Sequence, residues 1–520
     1  MESIFSHRLS PDITTADTIM AVFMRILALL ISFIVYKQIR NAVRWRKLKS
    51  FGDVHGCGEV ATKKNKWPGG IEDYFIPFKK GFKDIDFFKD VVQKRYHAIG
   101  RNVYRSYNPF NASTISTAEP ENFKAILATR SQDYELGVVR GESIRDGAGQ
   151  GVVSAEGEAW VHYRQQLRPH FLREHISRLD HAKDHLSLML GVLPKEDSFE
   201  VDILPLLLRF TLDTATAFFF GHTVNSQTGG TPEDMEFAAA VDYTTEFLGW
   251  RSRIFGQWYW LYPAWKLRRT TKYIRDWTAE YVQRALEGKA GEGVLLHHLA
   301  KDSRNPIELR DQCMQLILAG RDSTANTMCF MLLLLARHPA ELARLRRVVL
   351  REFGESDERL TFEALKLCKP LVNVLHETMR LYPVAPLSFR SAKNDTVLPV
   401  GGGPDGKSPV AVRKGELIAM SQYVMNRRED IWGPDAAEFR PSRWEGEKLG
   451  WHYIPFSGGQ RICMGQQYAL NEIAFAIVRI LQTFDRIEPI DPNEPIKTKI
   501  SFPMGPRTSS LRFHRAKPDA

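Results

Sequence analysis

Phe456-Ser457-Gly458-Gly459-Gln460-Arg461-Ile462-Cys463-Met464-Gly465 is the stretch on which the reading of this chain turns. An aromatic residue and two glycines lead into a cysteine, and an apolar helical pattern over 465–484 starts directly after it. A cysteine at a helix N-terminus feels the positive end of the helix dipole and nearby amide donors. Both favour the thiolate, the form that binds a metal. Gly459 and Gly465 predict backbone that can approach a flat cofactor closely. The donor fork of Arg461 suits an anionic group on that cofactor. A lone cysteine is ordinarily a small buried hydrophobe; its neighbours here argue for more.

The other cysteines, Cys57, Cys313, Cys329 and Cys368, are scattered and form no C-x-x-C pair. That pattern excludes a disulfide framework and a structural zinc site, and it suits a reducing compartment. With 520 residues, 43% of them hydrophobic and 25% charged, the chain is globular and large enough to bury a cofactor. Its net charge of +10 suits an anionic membrane surface or an acidic protein partner. No basic recognition helix supports a nucleic-acid partner, and none is expected.

Upstream, residues 18–36 read TIMAVFMRILALLISFIVY, about the length that spans a bilayer as a helix. Arg25 is the polar exception, close enough to one end to snorkel, and it keeps an interfacial amphipathic helix open as the alternative. Lys37, Arg40, Arg44, Arg46, Lys47 and Lys49 follow, which places the rest of the chain in the cytosol by the positive-inside rule. Residues 1–50 are therefore expected to be a membrane anchor with a basic flank, and 51–520 the functional domain. A polar stretch ending at Lys66-Trp67-Pro68-Gly69-Gly70 reads as a linker.

No later linker and no repeat divides the chain. Helical periodicity over 312–337, 370–381 and 465–484, with strand-like runs within 397–420 broken by Gly401-Gly402-Gly403-Pro404-Asp405-Gly406, predicts one domain, mainly α with small β-sheets. Within the first of these helices, Ala319-Gly320-Arg321-Asp322-Ser323-Thr324 puts polar residues into an apolar run. Such residues compete with the backbone for hydrogen bonds and need a reason to be there.

Four segments, in the chain order 160–164, 377–380, 439–444 and 456–465, resemble the cytochrome P-450 family over essentially the whole chain after the anchor. Phe456 to Gly465 fits its F-x-x-G-x-R-x-C-x-G loop at every fixed position. Glu377-Thr378-Met379-Arg380 resembles its E-x-x-R helix, Phe439-Arg440-Pro441-Ser442-Arg443-Trp444 its F-x-P-x-R-[FW] segment, and Trp160-Val161-His162-Tyr163-Arg164 its W-x-x-x-R. The resemblance implies the family's triangular single-domain fold behind an N-terminal transmembrane helix. It implies haem with Cys463 as the axial thiolate and metal ligand, inside a loop that includes Phe456, Gly459, Arg461 and Gly465. Trp160, Arg164 and Arg390 would hold the haem propionates, and Glu377, Arg380 and Arg443 would form a buried structural cluster. Ala319 and Gly320 would widen a helical groove for O2, the co-substrate, while Asp322, Ser323 and Thr324 relay protons. Ser323 stands where the family usually has threonine, which keeps the hydroxyl but loses the methyl that stiffens it.

No flavin or nicotinamide site is visible, so the resemblance also implies a separate NADPH-dependent reductase, docked on a basic face near the Cys463 loop. The likeness is closest to fungal n-alkane and fatty-acid hydroxylases, in Arg168-Pro169-His170-Phe171, Leu212-Asp213-Thr214-Ala215-Thr216-Ala217, the 401–409 loop and Asp430-Ile431-Trp432-Gly433-Pro434-Asp435. It implies hydroxylation of long-chain aliphatic substrates at or near the chain end, at the endoplasmic reticulum membrane. Oxidation of a secondary metabolite or xenobiotic, or a reductase-independent isomerase or dehydratase, stays open. Retention of Asp322 and a hydroxyl at Ser323 favours oxygen activation. The aromatic run 254–265 is expected either to cap a membrane-facing entrance or to be ordinary core, and the glycine-rich 134–153 to be a mobile loop.

Overall fold

The N-terminal helix continues well past its last apolar residue. α1 spans Thr15–Val54, 40 residues without a break, in a computed structural model that describes residues 15–517 apart from 68–69, 71, 73–84, 108–112, 172–179, 256–263, 292–293 and 502. No glycine or proline precedes Gly52 in it, so nothing in its sequence breaks the helix. Met20, Phe23, Leu29, Phe33 and Ile39 are each more than half exposed, an apolar surface that the protein does not cover. Gly56, at φ 66°, turns the chain out of the helix, and the Cys57 amide donates to the Gly52 carbonyl at 2.9 Å.

The stretch read as a linker is stitched to the domain. The Gly58 amide donates to Pro409 O and the Gly403 amide to Glu59 O, both at 2.9 Å. Lys63 donates to Arg105 O at 2.9 Å, and Arg105 to Ala61 O at 2.8 Å. These partners belong to small sheets. Strands β1 (Val103–Tyr107), β2 (Ser113–Thr117), β3 (Tyr134–Glu135), β4 (Leu387–Ala392), β5 (Thr396–Gly402), β6 (Ser408–Val412) and β7 (Leu417–Ser421) lie in the N-terminal and C-terminal parts of the chain. Five of them form a sheet in the order β1-β2-β7-β4-β3, with β2 and β7 parallel. β5 and β6 pair as a hairpin whose turn uses Gly403 and Gly406 at positive φ. A three-stranded sheet joins Ser198–Asp202, Ser510–Arg515 and Phe484–Pro489.

Helices supply the bulk, as the periodicity predicts. The ones that matter for the site are α2 (Gly157–Leu167), α3 (Ile203–Phe220), α4 (Pro232–Phe255), α5 (Pro306–Arg337), α6 (Lys369–Leu381) and α7 (Gln466–Thr483). α5 starts at the Asn305 cap, whose side-chain oxygen accepts from the Ile307 and Glu308 amides at 3.1 and 3.3 Å, with Pro306 in its first turn. It is apolar on nearly every side and so belongs to the interior. Two hydrophobic clusters share it. Leu309 to Leu318 pack with Leu212 and Phe219 of α3 and Phe237 and Val241 of α4. Ala325 to Ala336 pack with Leu371 and Leu375 of α6 and Ile477 and Leu481 of α7. Residues 319–324 belong to neither cluster. The polar break seen in the sequence therefore falls in the gap between two cores.

The segment 134–153 is not an irregular loop. It forms β3, a π-helical turn at Val138–Glu142 and the helix Ser143–Ala148. The amides of Gln150, Val152 and Val153 then donate to the side chains of Asp311, Gln312 and Gln315 on α5 at 3.0, 3.2 and 2.8 Å. Its glycines serve close packing: a Cβ at Gly149 would meet the Asp311 carboxylate at 2.2 Å. In the aromatic run, Trp258, Tyr259, Trp260 and Tyr262 lie outside the described residues, while Trp265 is exposed.

Candidate functional site

The Cys463 loop is held by its own backbone. The Cys463 amide donates to Phe456 O at 3.0 Å and the Ile462 amide to Gly459 O at 3.2 Å, around a 3-10 turn at Gly459–Arg461. Ser457 and Gly459 both take positive φ, 64° and 65°. A Cβ on Gly459 would lie 1.9 Å from the Leu127 carbonyl oxygen, so this glycine lets the loop pass against protein backbone. Gly465 is less confined, its nearest neighbour being the Phe171 ring at 3.7 Å.

α7 begins at Gln466, immediately after the loop, so Cys463 sits just before a helix N-terminus as the sequence implied. Cys463 keeps accessible surface although protein surrounds it, which means that it faces a cavity. Burial pushes the Cys463 thiol up, while the Gly465 backbone hydrogen bond and the Arg164 charge pull it down. A metal that displaces the proton removes the opposing contribution.

Beside the loop lies a cluster of guanidiniums. Arg164, on α2, donates to Ile462 O at 3.2 Å, and Arg461 to Ala155 O at 2.8 Å. Their guanidinium carbons lie 5.6 and 4.6 Å from the Trp160 ring centroid. Arg390, on β4, is buried and donates from Nη1 to the neighbouring Phe389 carbonyl at 2.7 Å. Burial, then the charges of Arg140 and Arg461, holds Arg390 well below the usual arginine range, with Glu156 opposing. Arg461 is lowered to about 10 by burial and by Arg140.

Arg140 escaped the sequence reading; it is an arginine in a valine- and glycine-rich stretch, matched by no motif. It comes from the π-helical turn, and its Nε is buried without a partner. A cavity of about 600 Å³ opens at this cluster, lined by Leu136, Glu156, Trp160, Arg390 and Arg461 among others. Crowded cations with an orphaned donor, next to an accessible cysteine, fit a cofactor that carries carboxylates on one edge and a thiolate-binding metal. Haem meets both demands.

The helix α5 supplies the other wall. In its buried run Ala319 is exposed, and Gly320 and Ser323 are partly so. A Cβ on Gly320 would meet nothing within 4 Å. These three residues share one face and open a window in the gap between the two cores. Ser323 Oγ donates to Ala319 O at 2.7 Å, and Thr327 Oγ1 to Ser323 O at 2.8 Å, so consecutive turns are back-bonded at the window.

Of the expected proton-handling residues, Ser323 lies at the window, whereas Thr324 is 1% exposed and lies in the packing. Asp322 is buried and accepts from Arg321 Nη1 at 3.0 Å. Burial raises its carboxyl, and Arg321 and the Thr245 hydroxyl pull it back. Arg321 also holds Asp242 of α4 and donates to Leu208 O of α3 at 3.2 Å. Asp322 is thus fixed from three helices.

The E-x-x-R pair is fully buried. Arg380 donates to both Glu377 oxygens at 2.8 Å and to the carbonyls of Asn426, Ala436 and Glu438. Glu377 also accepts from Arg443 Nε at 3.4 Å, Trp444 Nε1 at 3.1 Å and the Arg440 amide at 2.9 Å. This satisfied network ties α6 to the segment that leads into the Cys463 loop.

The chain is similar to known proteins along most of its length. Cytochrome P450 52A5 of Candida maltosa is 40% identical over 463 residues, covering 84% of this chain and 87% of its own length. Cytochrome P450 monooxygenase g430 of a Fusarium species is 38% identical over 488 residues, covering 88% and 85%. The solved haem domain of a cytochrome P450DA mutant superposes with a TM-score of 0.74 at 21% identity, over 88% of this chain and 98% of that one, a likeness of fold. Residues 90–513 match the family profile of Cytochrome P450. With that match and relatives this similar along most of their length, the chain belongs to the cytochrome P450 family and is a haem-thiolate monooxygenase.

Proposed function

We propose that this monooxygenase hydroxylates long-chain aliphatic compounds, fatty acids or n-alkanes, at or near the chain end. The observation that carries the substrate class is the uncovered apolar length of α1, which is long enough to cross a bilayer. It would keep the enzyme where such substrates dissolve. The likeness of segments 212–217 and 430–435 to fungal alkane and fatty-acid hydroxylases supports the same reading. On this reading residues 1–50 anchor the chain in the endoplasmic reticulum membrane as a single pass, and 51–520 form the cytosolic catalytic domain. The family takes electrons from a redox partner and oxidises hydrophobic substrates; here the partner is an NADPH-dependent reductase.

Bound at this site through the Cys463 thiolate, haem would supply reductive activation of O2 and insertion of one oxygen atom into a C–H bond. Cys463 is the ligand, and it gives up its thiol proton to bind. Phe456 O fixes the Cys463 backbone, and the Gly465 amide stabilises charge on sulfur. Arg140, Arg164, Arg390 and Arg461 would bind the propionates, with the Trp160 ring against the guanidiniums of Arg164 and Arg461. Ala319 and Gly320 leave space for O2. Ser323, its proton on Ala319 O, is the hydroxyl at the window. It can pass that proton outward by rotating about χ1 and take another from water, while Asp322 sits on the buried side, held by Arg321. Thr324 supports the helix from its packed side.

A carbon-monoxide difference spectrum of the reduced enzyme, followed by titration with fatty acids and n-alkanes of graded length, tests this reading. A thiolate-type Soret band and a chain-length-dependent spin shift are expected. A missing band in correctly folded protein sinks the assignment of Cys463, and a band that no aliphatic compound shifts sinks the substrate class.

A further inference from the structure

We infer that Trp45 clasps the end of α1 to the small sheet, so that the apolar helix and the catalytic domain form one rigid body that sits at a fixed height and tilt on a lipid surface. The inference rests on the reading of α1 as a membrane span. Trp45 lies between two guanidiniums, Arg105 at 5.0 Å and Arg413 at 4.8 Å from its ring centroid. The Tyr107 ring meets it edge-on at 5.9 Å. Arg105 cannot swing away: its Nε and Nη2 bond the Glu416 carboxylate at 2.8 and 3.2 Å, and Nη2 also reaches Ala411 O at 2.8 Å. Among the described residues Arg413 Nε and Nη1 are buried without hydrogen-bond partners, so the Trp45 ring face, with the nearby Glu416 carboxylate, meets that charge.

Trp45, Leu48 and Gly52 recur at three- and four-residue spacing and so share one helical face. Leu48 is buried. A Cβ at Gly52 would lie 3.3 Å from Ala411 Cβ on β6, so helix and strand touch with no side chain between them. Beyond the helix the chain has no slack, since residues 58–63 bond directly to the sheets.

Upward from the clasp, α1 has no break before the apolar run. From Tyr36 to Trp45 a helix rises about 14 Å, about twice the headgroup layer on one side of a bilayer, which is about 5–8 Å thick. The sheet end that carries β1 and β6 therefore faces the lipid surface, with Arg40, about 6 Å along the helix, within the headgroup layer and Arg44, Arg46 and Lys47 just outside it. A loose tether would let the domain tumble under its anchor. A clasped helix transmits the tilt of the span to the whole domain.

The test is a distance distribution by double electron–electron resonance on the full-length, haem-loaded enzyme in phosphatidylcholine nanodiscs. Spin labels are placed at Ile39→Cys and Lys414→Cys in a Cys57→Ser background. The distribution is expected to be narrow, at least to double in width in Trp45→Ala and in Arg413→Gln, and to stay narrow in Trp45→Phe, which keeps an aromatic face. A broad distribution in the parent overturns the clasp. So does a narrow one in both disruptive variants, each checked as folded by its carbon-monoxide spectrum. The same protein is floated with phosphatidylcholine vesicles. Failure to float with a narrow distribution in detergent overturns the membrane span and the lipid-surface placement, and leaves the clasp standing.

Discussion

Arg140 shows what single residues do here. Its orphaned Nε and its repulsion of Arg390 and Arg461 make it a cost to the protein alone and an asset once carboxylates arrive. Arg140→Ala is therefore expected to have opposite effects on two measurements. Haem dissociation, followed by transfer to apomyoglobin, should speed up by about 10–100-fold, the weight of one charge-assisted hydrogen bond. Urea unfolding of the haem-free protein should show no loss of stability, or a small gain. A loss in both would mean that Arg140 is simply part of the packing. Cys463→Ser keeps the size of the side chain but not the soft thiolate, so it should abolish the thiolate-type Soret band while leaving the far-ultraviolet circular dichroism unchanged. Glu472, on α7, offers a pH signature. Burial pushes its carboxyl from 4.5 up to about 8. The native state therefore holds a proton that the unfolded state releases as pH rises through this range. Stability contributed by the protonated group is full below about 4.5 and falls by about 1.4 kcal/mol per pH unit until about 8. Glu472→Gln should flatten that slope in urea unfolding followed across pH, and it should be more stable than the parent at pH 8.

At the scale of elements, the window in α5 and the loop before α7 carry separate predictions. Ser323 lacks the methyl that would lock its rotamer, and its hydroxyl is already committed to Ala319 O. Ser323→Thr is expected to raise the ratio of product formed to NADPH consumed. Ser323→Ala should lower that ratio by about tenfold or more while NADPH oxidation continues, as loss of a proton donor predicts. Equal ratios in all three enzymes would remove Ser323 from proton delivery. In the loop, Gly459→Ala adds a Cβ 1.9 Å from Leu127 O at a φ of 65°. A cost above about 2 kcal/mol and poor haem incorporation are expected, measured by unfolding and by the haem-to-protein ratio. The elements themselves were legible because helical periodicity and the loop spacing are local. The role of Gly459 was not, because its neighbour Leu127 is distant in sequence. The same holds for Gly149 and Gly151 in 134–153, a stretch that reads as a loop; both pack against α5.

Across the whole molecule, α1 is the element whose docking is most easily tested by truncation. A chain beginning at residue 37 keeps Trp45, Leu48 and Gly52 and should melt with the full-length domain in detergent. One beginning at residue 51 loses the Trp45 and Leu48 contacts and should melt a few degrees lower, with equal melting of the two arguing against a docked helix. The sequence by itself determined the cysteine loop, the helical character of the chain, the apolar N-terminal run and the family. Each of these is written in residues adjacent along the chain or spaced by one helical period, so side-chain chemistry and periodicity suffice to read them. Tertiary structure alone decided which hydroxyl of Ser323 and Thr324 reaches the window, that Arg140 joins Arg390 and Arg461, and that α1 is fastened at Trp45. Those contacts join residues separated by tens to hundreds of positions. Their energies come from burial and charge crowding that exist only after two hydrophobic cores have closed on either side of residues 319–324.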